Sequence, residues 1–282
     1  MGHSDQSRDR FFDSAGVRIR YFIEGTGEPV VLIHGFSLDS VSNWVQPGIV
    51  KGLSDRYQAI AIDLRGHGES DKPHAAAAYG TAIVEDVLRL MDQLKIAKAH
   101  VVGYSMGGEV ALALLTEHPE RLLTATIGAP GWIDPNDHRL EKMRNDTADS
   151  LEHGMGIDPL IKGIWPLGWP PPTTEMIEII NRDFLRSHDP LAMAAAARGQ
   201  VSHLRVSGEK IRANKLPVLS LVGELDPLKF YLDHLSAMMP TLKIVAIPGA
   251  THMTAFSNSL FLSSLKSFLT EHPLKKAPAT GK

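Results

Sequence analysis

The chain contains no cysteine. That absence excludes disulfide scaffolding, thiol nucleophiles and thiolate metal sites, and it leaves the compartment open. A strong charge of either sign is also lacking: 29 Lys and Arg stand against 32 Asp and Glu, a formal net charge of -3. No global field therefore draws the chain to nucleic acid or to an anionic membrane. No apolar run approaches the roughly 20 residues that cross a bilayer, and the start, MGHSDQSRDRFF, has no apolar stretch ahead of its charges. These absences predict a cytoplasmic protein without nucleic-acid or membrane partners, and they leave the oligomeric state open. The 13 histidines never take a His-Glu-x-x-His spacing, and the glycines of RGHGES are followed by no Gly-Lys-Ser or Gly-Lys-Thr. Nothing supplies a dinucleotide fingerprint after a strand, so neither a metal nor a cofactor is expected.

What is present is core-forming material: 43% of the residues are hydrophobic, enough for a globular fold. VRIRYFIEG, from Val17, alternates apolar and polar residues as a half-exposed strand does. VVLIHG, AIAIDL (Ala59 to Leu64), HVVGYS (His100 to Ser105), ATIGAP (Ala125 to Pro130), VLSLVGELD (Val218 to Asp226) and KIVAIPGA (Lys243 to Ala250) are short continuous apolar runs. Strands read this way when helices cover both faces of a parallel sheet. Helical patterns lie between them at Thr81 to Leu94, Gly108 to His118, Lys229 to Met239 and Asn258 to Glu271. Alternating strand and helix makes the fold class α/β, with a mostly parallel central sheet flanked by helices.

The rhythm breaks between Gly131 and Ala213, where helical pieces at His138 to Leu151, Thr174 to His188 and Pro190 to Gly199 appear without a convincing buried strand. A structureless loop of that length is improbable, which predicts a helical insertion packed on the sheet. The tail, LKKAPATGK, reads as a mobile end.

AHVVGYSMGGEVALALL passes from a strand pattern to a helix pattern through Gly103-Tyr104-Ser105-Met106-Gly107. Gly-x-Ser-x-Gly at a strand-to-helix junction forces the serine into a cramped conformation, and the flanking glycines remove side chains that would collide. The hydroxyl of Ser105 then stands at the carboxyl end of the strand, where the Met106 amide and the helix dipole can stabilise an oxyanion. A serine needs a neighbouring base, and the base an orienting acid. Asp226 ends VLSLVGELD and His252 follows KIVAIPGAT, acid first, both just past strands at the same edge of the sheet. A second oxyanion donor is expected from the loop after VVLIHGF, and the amide of Phe36 is the candidate.

With HGF at His34 to Phe36, DLRGHGESD at Asp63 to Asp71, GYSMGG at Gly103 to Gly108, GELDP at Gly223 to Pro227 and GATHM at Gly249 to Met253, the chain resembles the α/β-hydrolase superfamily over nearly its whole length. The resemblance implies that Ser105 is the nucleophile, His252 the general base and acid, and Asp226 its orienting carboxylate. It implies a core domain from 1–130 and 213–282 and a helical cap at 131–212 that roofs the site. It also implies a small-molecule substrate, with carboxylic ester hydrolysis foremost. Lactonases, amidases, carbon–carbon bond hydrolases and cofactor-free perhydrolases share the same residues, as does a receptor with little turnover. Superfamily members with an aspartate nucleophile, the haloalkane dehalogenases and epoxide hydrolases, are set aside by Ser105.

Other residues carry competing readings. Asp226 also suits the N-cap of the helix that begins PLKFYLDHL, and Asp233 in that helix reads as solvated. His34, Asp63, Arg65 and His67 are assigned to loop architecture. Trp165 and Trp169, in GIWPLGWPPP, serve either cap packing or the pocket lining, and Trp132 and Met253 are further pocket candidates. Phe36, Met106 and Met253 predict apolar surroundings for the reacting groups and hence an apolar substrate.

Overall fold

The structure is a computed structural model and describes residues 9–129, 131–134, 136–203 and 206–274. The last residue expected in the strand after Ala125, Pro130, lies outside the described residues, as do residues 275–282 of the tail read as mobile. Eight strands form one sheet: β1 (Arg10–Ser14), β2 (Val17–Glu24), β3 (Glu28–Ile33), β4 (Tyr57–Ile62), β5 (Ala99–Tyr104), β6 (Leu122–Gly128), β7 (Val218–Gly223) and β8 (Leu242–Ile247). Their spatial order is β1-β2-β4-β3-β5-β6-β7-β8. The first two pairings are antiparallel and all the others parallel. The carboxyl ends of β3, β5, β6, β7 and β8 therefore share one edge.

Ten helices accompany the sheet: α1 (Ile49–Leu53), α2 (Thr81–Gln93), α3 (Met106–Glu117), α4 (Arg139–Glu152), α5 (Asp158–Gly163), α6 (Thr174–Ser187), α7 (Pro190–His203), α8 (Gly208–Ala213), α9 (Lys229–Met238) and α10 (Ser259–Glu271). None of the described helices is long and apolar enough to cross a membrane. Alternation along β3 divides the core, since successive side chains of a strand face opposite sides. Val31 and Ile33 pack with Ile83, Val87 and Leu90 of α2 and with Val110 and Leu114 of α3. Val30 and Leu32 pack on the other face with Ile49 and Leu53 of α1 and Phe261 and Leu265 of α10. Because both faces are covered, β5 and β7 are buried at every residue, which is why they read as unbroken apolar runs.

Among the described residues, the segment between β6 and β7 is helical and holds no strand. It has an apolar cluster of its own, in which Leu151 of α4, Ile161 of α5, Phe184 of α6 and Met193 and Ala197 of α7 meet, with Phe36 of the core against it. The alanines at positions 194 to 197 are all buried; their small side chains let α7 lie closely between α4 and the sheet. Ile211 of α8, although sequence placed it in the insertion, packs with the main core beside Leu232 and Leu235 of α9. Short elements escaped the sequence patterns: β1, α1, α5 and α8 are each six residues or fewer, too few for a periodicity to emerge.

A buried ion pair ties the sheet's open side to α2. Asp86, fully buried, accepts the Arg65 Nε and Nη2 hydrogens at 2.7 and 2.6 Å and the Ser14 hydroxyl at 2.5 Å. Asp86→Ala would strand the Arg65 charge beneath the surface. The expected loss of unfolding free energy is about 3–5 kcal/mol, measured by urea denaturation; a loss below about 1 kcal/mol would show that the pair is not a structural tie.

Candidate active site

The turn at Ser105 puts a non-glycine residue at positive φ. Its φ of 54° and ψ of -119° lie where an L-residue rarely rests, at a strain of about 1–3 kcal/mol. Two glycines make the turn possible by close approach. A Cβ on Gly103 would collide with the Gly107 carbonyl, and one on Gly107 with the carbonyls of Ile33 and His34 on the neighbouring strand end. The serine is held from both sides: its amide donates to the Gly128 carbonyl at 3.0 Å, and its carbonyl accepts the Gly108 and Glu109 amides at 2.8 and 3.2 Å. Helix α3 therefore starts at Met106, two residues before the apolar periodicity becomes visible.

Asp226, His252 and Ser105 converge although as many as 147 residues separate them in sequence. The Asp226 Oδ2 lies 2.8 Å from His252 Nδ1, and His252 Nε2 lies 3.1 Å from the Ser105 Oγ. An ionised carboxylate can only accept, so the Nδ1 of the ring carries the hydrogen and the Nε2 is left as the base that faces the hydroxyl. Asp226 uses both oxygens: its Oδ1 accepts the Leu228 amide at 2.8 Å in the turn that leads into α9, while its Oδ2 holds the histidine; the N-cap of α9 is Leu228 and not Asp226, which stands two residues too early to cap the helix. The two loops are fastened to each other by the Leu225 amide, which donates to the Ala250 carbonyl at 2.9 Å. Asp233 points elsewhere, paired with Lys229 at the surface.

Tyr104, the residue before the serine, plays a part that the sequence did not suggest. Its hydroxyl donates to the His252 carbonyl at 2.6 Å and its ring lies 5.4 Å from the imidazole. Burial, reinforced by the Asp226 charge, raises its pKa, so the phenol stays a donor. The motif gave no hint of this because the position between the first glycine and the serine carries no residue requirement of its own.

Among the described residues, the amides of Phe36 and Met106 donate to no protein acceptor. The peptide ahead of Phe36 is held from several directions. The Gly35 amide donates to Asn43 Oδ1 at 2.9 Å, and the Gly35 carbonyl accepts from the Leu38 amide at 3.2 Å and from His34 Nδ1 at 2.8 Å. His34 Nε2 accepts the Leu64 amide at 3.0 Å, which assigns the tautomer; burial lowers the ring's pKa and keeps it neutral. His67 lies 5.0 Å from it, ring to ring, and its Nε2 donates to the Phe36 carbonyl at 2.7 Å. Burial and the neighbouring His34 push the pKa of His67 down to about 3, against carbonyl acceptors that pull the other way. Asp63 holds the Ser40 amide and hydroxyl at 2.9 and 2.5 Å and the Glu69 amide at 3.0 Å. These side chains fix loops and face no reacting atom.

Two spaces are lined by Ser105, and a third adjoins one of them through the shared walls Leu160, Ile164 and Met253. A throat of about 20 Å³ is bounded by Phe36, Ser105, His252, Met253, Leu160 and Ile164. Outside it lies a chamber of about 580 Å³, lined by Trp165, Trp169, Ile179, Ile180 and Met253 among others; Trp169 is 53% exposed and Ile179 42%, so this chamber opens to solvent. On the other side is a recess of about 40 Å³ that reaches Met106, Glu109, Arg144, Thr147 and Gln200. Trp165, Trp169 and Met253 thus line the outer space. Trp132 does not: its Nε1 donates to the Val206 carbonyl at 2.9 Å, which anchors it in a separate cleft with Arg139 and Phe230.

The recess also departs from the apolar surroundings that the sequence suggested. Glu109, one turn of helix beyond Ser105, is 5% exposed and pairs with Arg144 of α4. Gln200 of α7 donates to the Met106 sulfur. In sequence Glu109 reads as an ordinary polar helix residue, and nothing local distinguishes Arg144 from the other charges of α4; only the packing of α4 over α3 joins them.

The alpha/beta hydrolase fold family model matches residues 28–151, a stretch that includes the Ser105 turn and ends before Asp226. A putative 2-succinyl-6-hydroxy-2,4-cyclohexadiene-1-carboxylate synthase of Bacillus subtilis (strain 168) is 28% identical over 269 residues, covering 91% of this chain and 96% of that protein. The dihydrolipoyllysine-residue acetyltransferase component of the acetoin cleaving system of Cupriavidus necator is 41% identical over 122 residues, 43% of this chain. The match spans about a third of that relative, 32% of its length. The solved structure of a thermophilic esterase from Thermogutta terrifontis superposes with a TM-score of 0.75 at 26% identity, covering 94% of this chain and 99% of that one.

If the turn depends on the missing side chains, Gly107→Ala should cost at least about 2 kcal/mol through overpacking against β3. A melting temperature equal to that of the unmodified chain would show that the turn has room to spare.

Proposed function

We propose that this chain, a member of the α/β-hydrolase superfamily, is a serine hydrolase that cleaves carboxylic esters. The observation that carries the reading is the hydrogen-bonded line from Asp226 through His252 to Ser105, ending beside two amides with no protein acceptor. A hydroxyl so placed can lose its proton to Nε2 as its oxygen attacks, and the Asp226 carboxylate stabilises the imidazolium that forms.

The chemistry follows from those atoms. Ser105 Oγ forms a bond to the ester carbonyl carbon, and its proton passes to His252 Nε2. Negative charge gathers on the former carbonyl oxygen, which the Phe36 and Met106 amides are free to receive. The intermediate collapses with cleavage of the bond to the alcohol oxygen, which departs with the proton from Nε2. Water then gives a proton to the same nitrogen, attacks the acyl group and releases the acid and Ser105. No oxidant, reductant or metal enters this balance.

The segment at 131–212 acts in this reading as a cap, and α5 is its working edge, since Leu160 and Ile164 line the throat and both spaces beyond it. The apolar outer chamber supports an apolar group on one side of the ester. Tyr104 is a positioning residue that holds the backbone of His252.

The test is intact-protein mass after exposure to a fluorophosphonate, with peptide mapping, alongside p-nitrophenyl esters from acetate to decanoate. Labelling at Ser105 with turnover is expected; no labelling would favour a binding role. Ser105→Ala should lower kcat by roughly 10⁶-fold and leave thermal stability near that of the unmodified chain. Tyr104→Phe removes one hydrogen bond, about 0.5–1.5 kcal/mol, and should lower kcat by about 2- to 10-fold with KM unchanged; an unaffected kcat would deny the tyrosine its positioning role.

A further inference from the structure

The recess beside Ser105 and the chamber beyond the throat differ in a way that orders the substrate. Thr147, Ala197 and Gln200, which line the recess with Met106 and Glu109, are each no more than 4% exposed, and Met106 and Glu109 are 2% and 5% exposed. The outer chamber has walls that stand in solvent, as at Trp169 and Ile180. In acyl transfer the alcohol leaves while the acyl group is still bonded to the serine, and water must then reach that bond. An alcohol held in the recess would be trapped behind the acyl group. The acyl chain therefore occupies the recess and the alcohol the open chamber.

The recess is small and part of its wall is polar. Its volume of about 40 Å³, at roughly 10–15 Å³ for each water-sized group, admits an acyl chain of about three to four non-hydrogen atoms beyond the carbonyl. Its polar walls include the Glu109–Arg144 pair and Gln200. Burial pushes the Glu109 carboxyl pKa up while Arg144 opposes it. Among the described residues Glu109 is the hydrogen-bond partner of the Arg144 guanidinium, whose planar fork carries five donors. A buried ion pair is seldom kept for stability, because the desolvation of both charges offsets their attraction. Here it fronts an internal space one helical turn from the nucleophile. An arginine with donors to spare, beside a carboxylate that can accept, suits a hydroxyl, which accepts from one and donates to the other. A second carboxylate in this neutral, water-poor recess would bring an unbalanced charge.

Resting on the serine hydrolase reading, we infer that the recess selects short acyl groups whose far end carries an uncharged hydroxyl, read by Arg144 and Glu109, on esters with a bulky apolar alcohol. Arg144 and Glu109 are specificity-determining residues for the acyl part, and the walls of the outer chamber receive the alcohol.

Three benzyl esters test this, with released benzyl alcohol as the readout. Benzyl 4-hydroxybutyrate and benzyl pentanoate differ by a hydroxyl in place of a methyl; monobenzyl succinate offers a carboxylate. The expected result is a kcat/KM at least about tenfold higher for the hydroxybutyrate than for either other ester. In the double variant Glu109→Gln with Arg144→Met, the ratio of hydroxybutyrate to pentanoate should fall to about one. A ratio near one in the unmodified chain, a preference for the succinate, or a ratio that survives the double substitution each overturns the inference. The unmodified chain decides the first two outcomes even where the double variant does not fold. Fluorophosphonate labelling of Ser105 separates the two levels: labelling with pentanoate favoured defeats only the acyl assignment, whereas absence of labelling defeats the hydrolase reading beneath it.

Discussion

Everything at the site hangs on a backbone conformation that the chain would not adopt by itself. Ser105 at a φ of 54° is tolerable only because Gly107 lies against the end of β3 and Gly103 against Gly107, with no Cβ at either place. The sheet supplies the restoring force. Register between β5 and β6 sets Tyr104 opposite Gly128, and it is the Gly128 carbonyl that takes the serine amide. Strain at one residue is thus stabilised by two buried neighbouring strands, and the same contact that makes the turn brings the β3 loop and the Phe36 amide alongside the hydroxyl.

This dependence explains how much could be read from the residues alone. The glycines around Ser105 are obligatory for a local reason, so they appear as a compact motif. Asp226 and His252 follow strands that sequence patterns show well, and their side of the sheet follows from parallel order. The β-strand runs from Val30 and Val218 are conspicuous because both faces of the sheet are covered. Tyr104, Glu109, Arg144 and Gln200 were not found as functional candidates. What joins them to their partners is contact between β5, α3, α4, α7 and the β8 loop, which no periodicity encodes. Trp132 shows the converse: a large aromatic near the insertion suggested a pocket, but a hydrogen bond to Val206 turns it to another cleft.

Charge is managed differently at each depth. His34 and His67, both buried, have lowered pKa values, and their hydrogen bonds to Gly35, Leu64 and Phe36 shape the loop after β3. Arg65 is matched bidentately by Asp86, both of them buried. Glu109 and Arg144 are also matched, yet they border the recess. Under the acyl-site proposal, the first pair is a structural tie and the second, at the wall of a cavity, a recognition device.

The open and closed sides of Ser105 then bind mechanism to substrate. A two-step acyl transfer has an asymmetric demand: the first product must leave before the second step, and water must enter after it. An enclosed recess on both sides would stall the acyl-enzyme, and open space on both would give the acyl chain no fixed end. Leu160 of the short helix α5 and Ile164, the residue that caps its end, border the throat and both spaces, so all three share this short stretch as a wall. On the serine hydrolase reading, the sheet provides the nucleophile and its base, Ser105 and His252, at a fixed distance, while the helical segment decides which end of an ester is held and which is released.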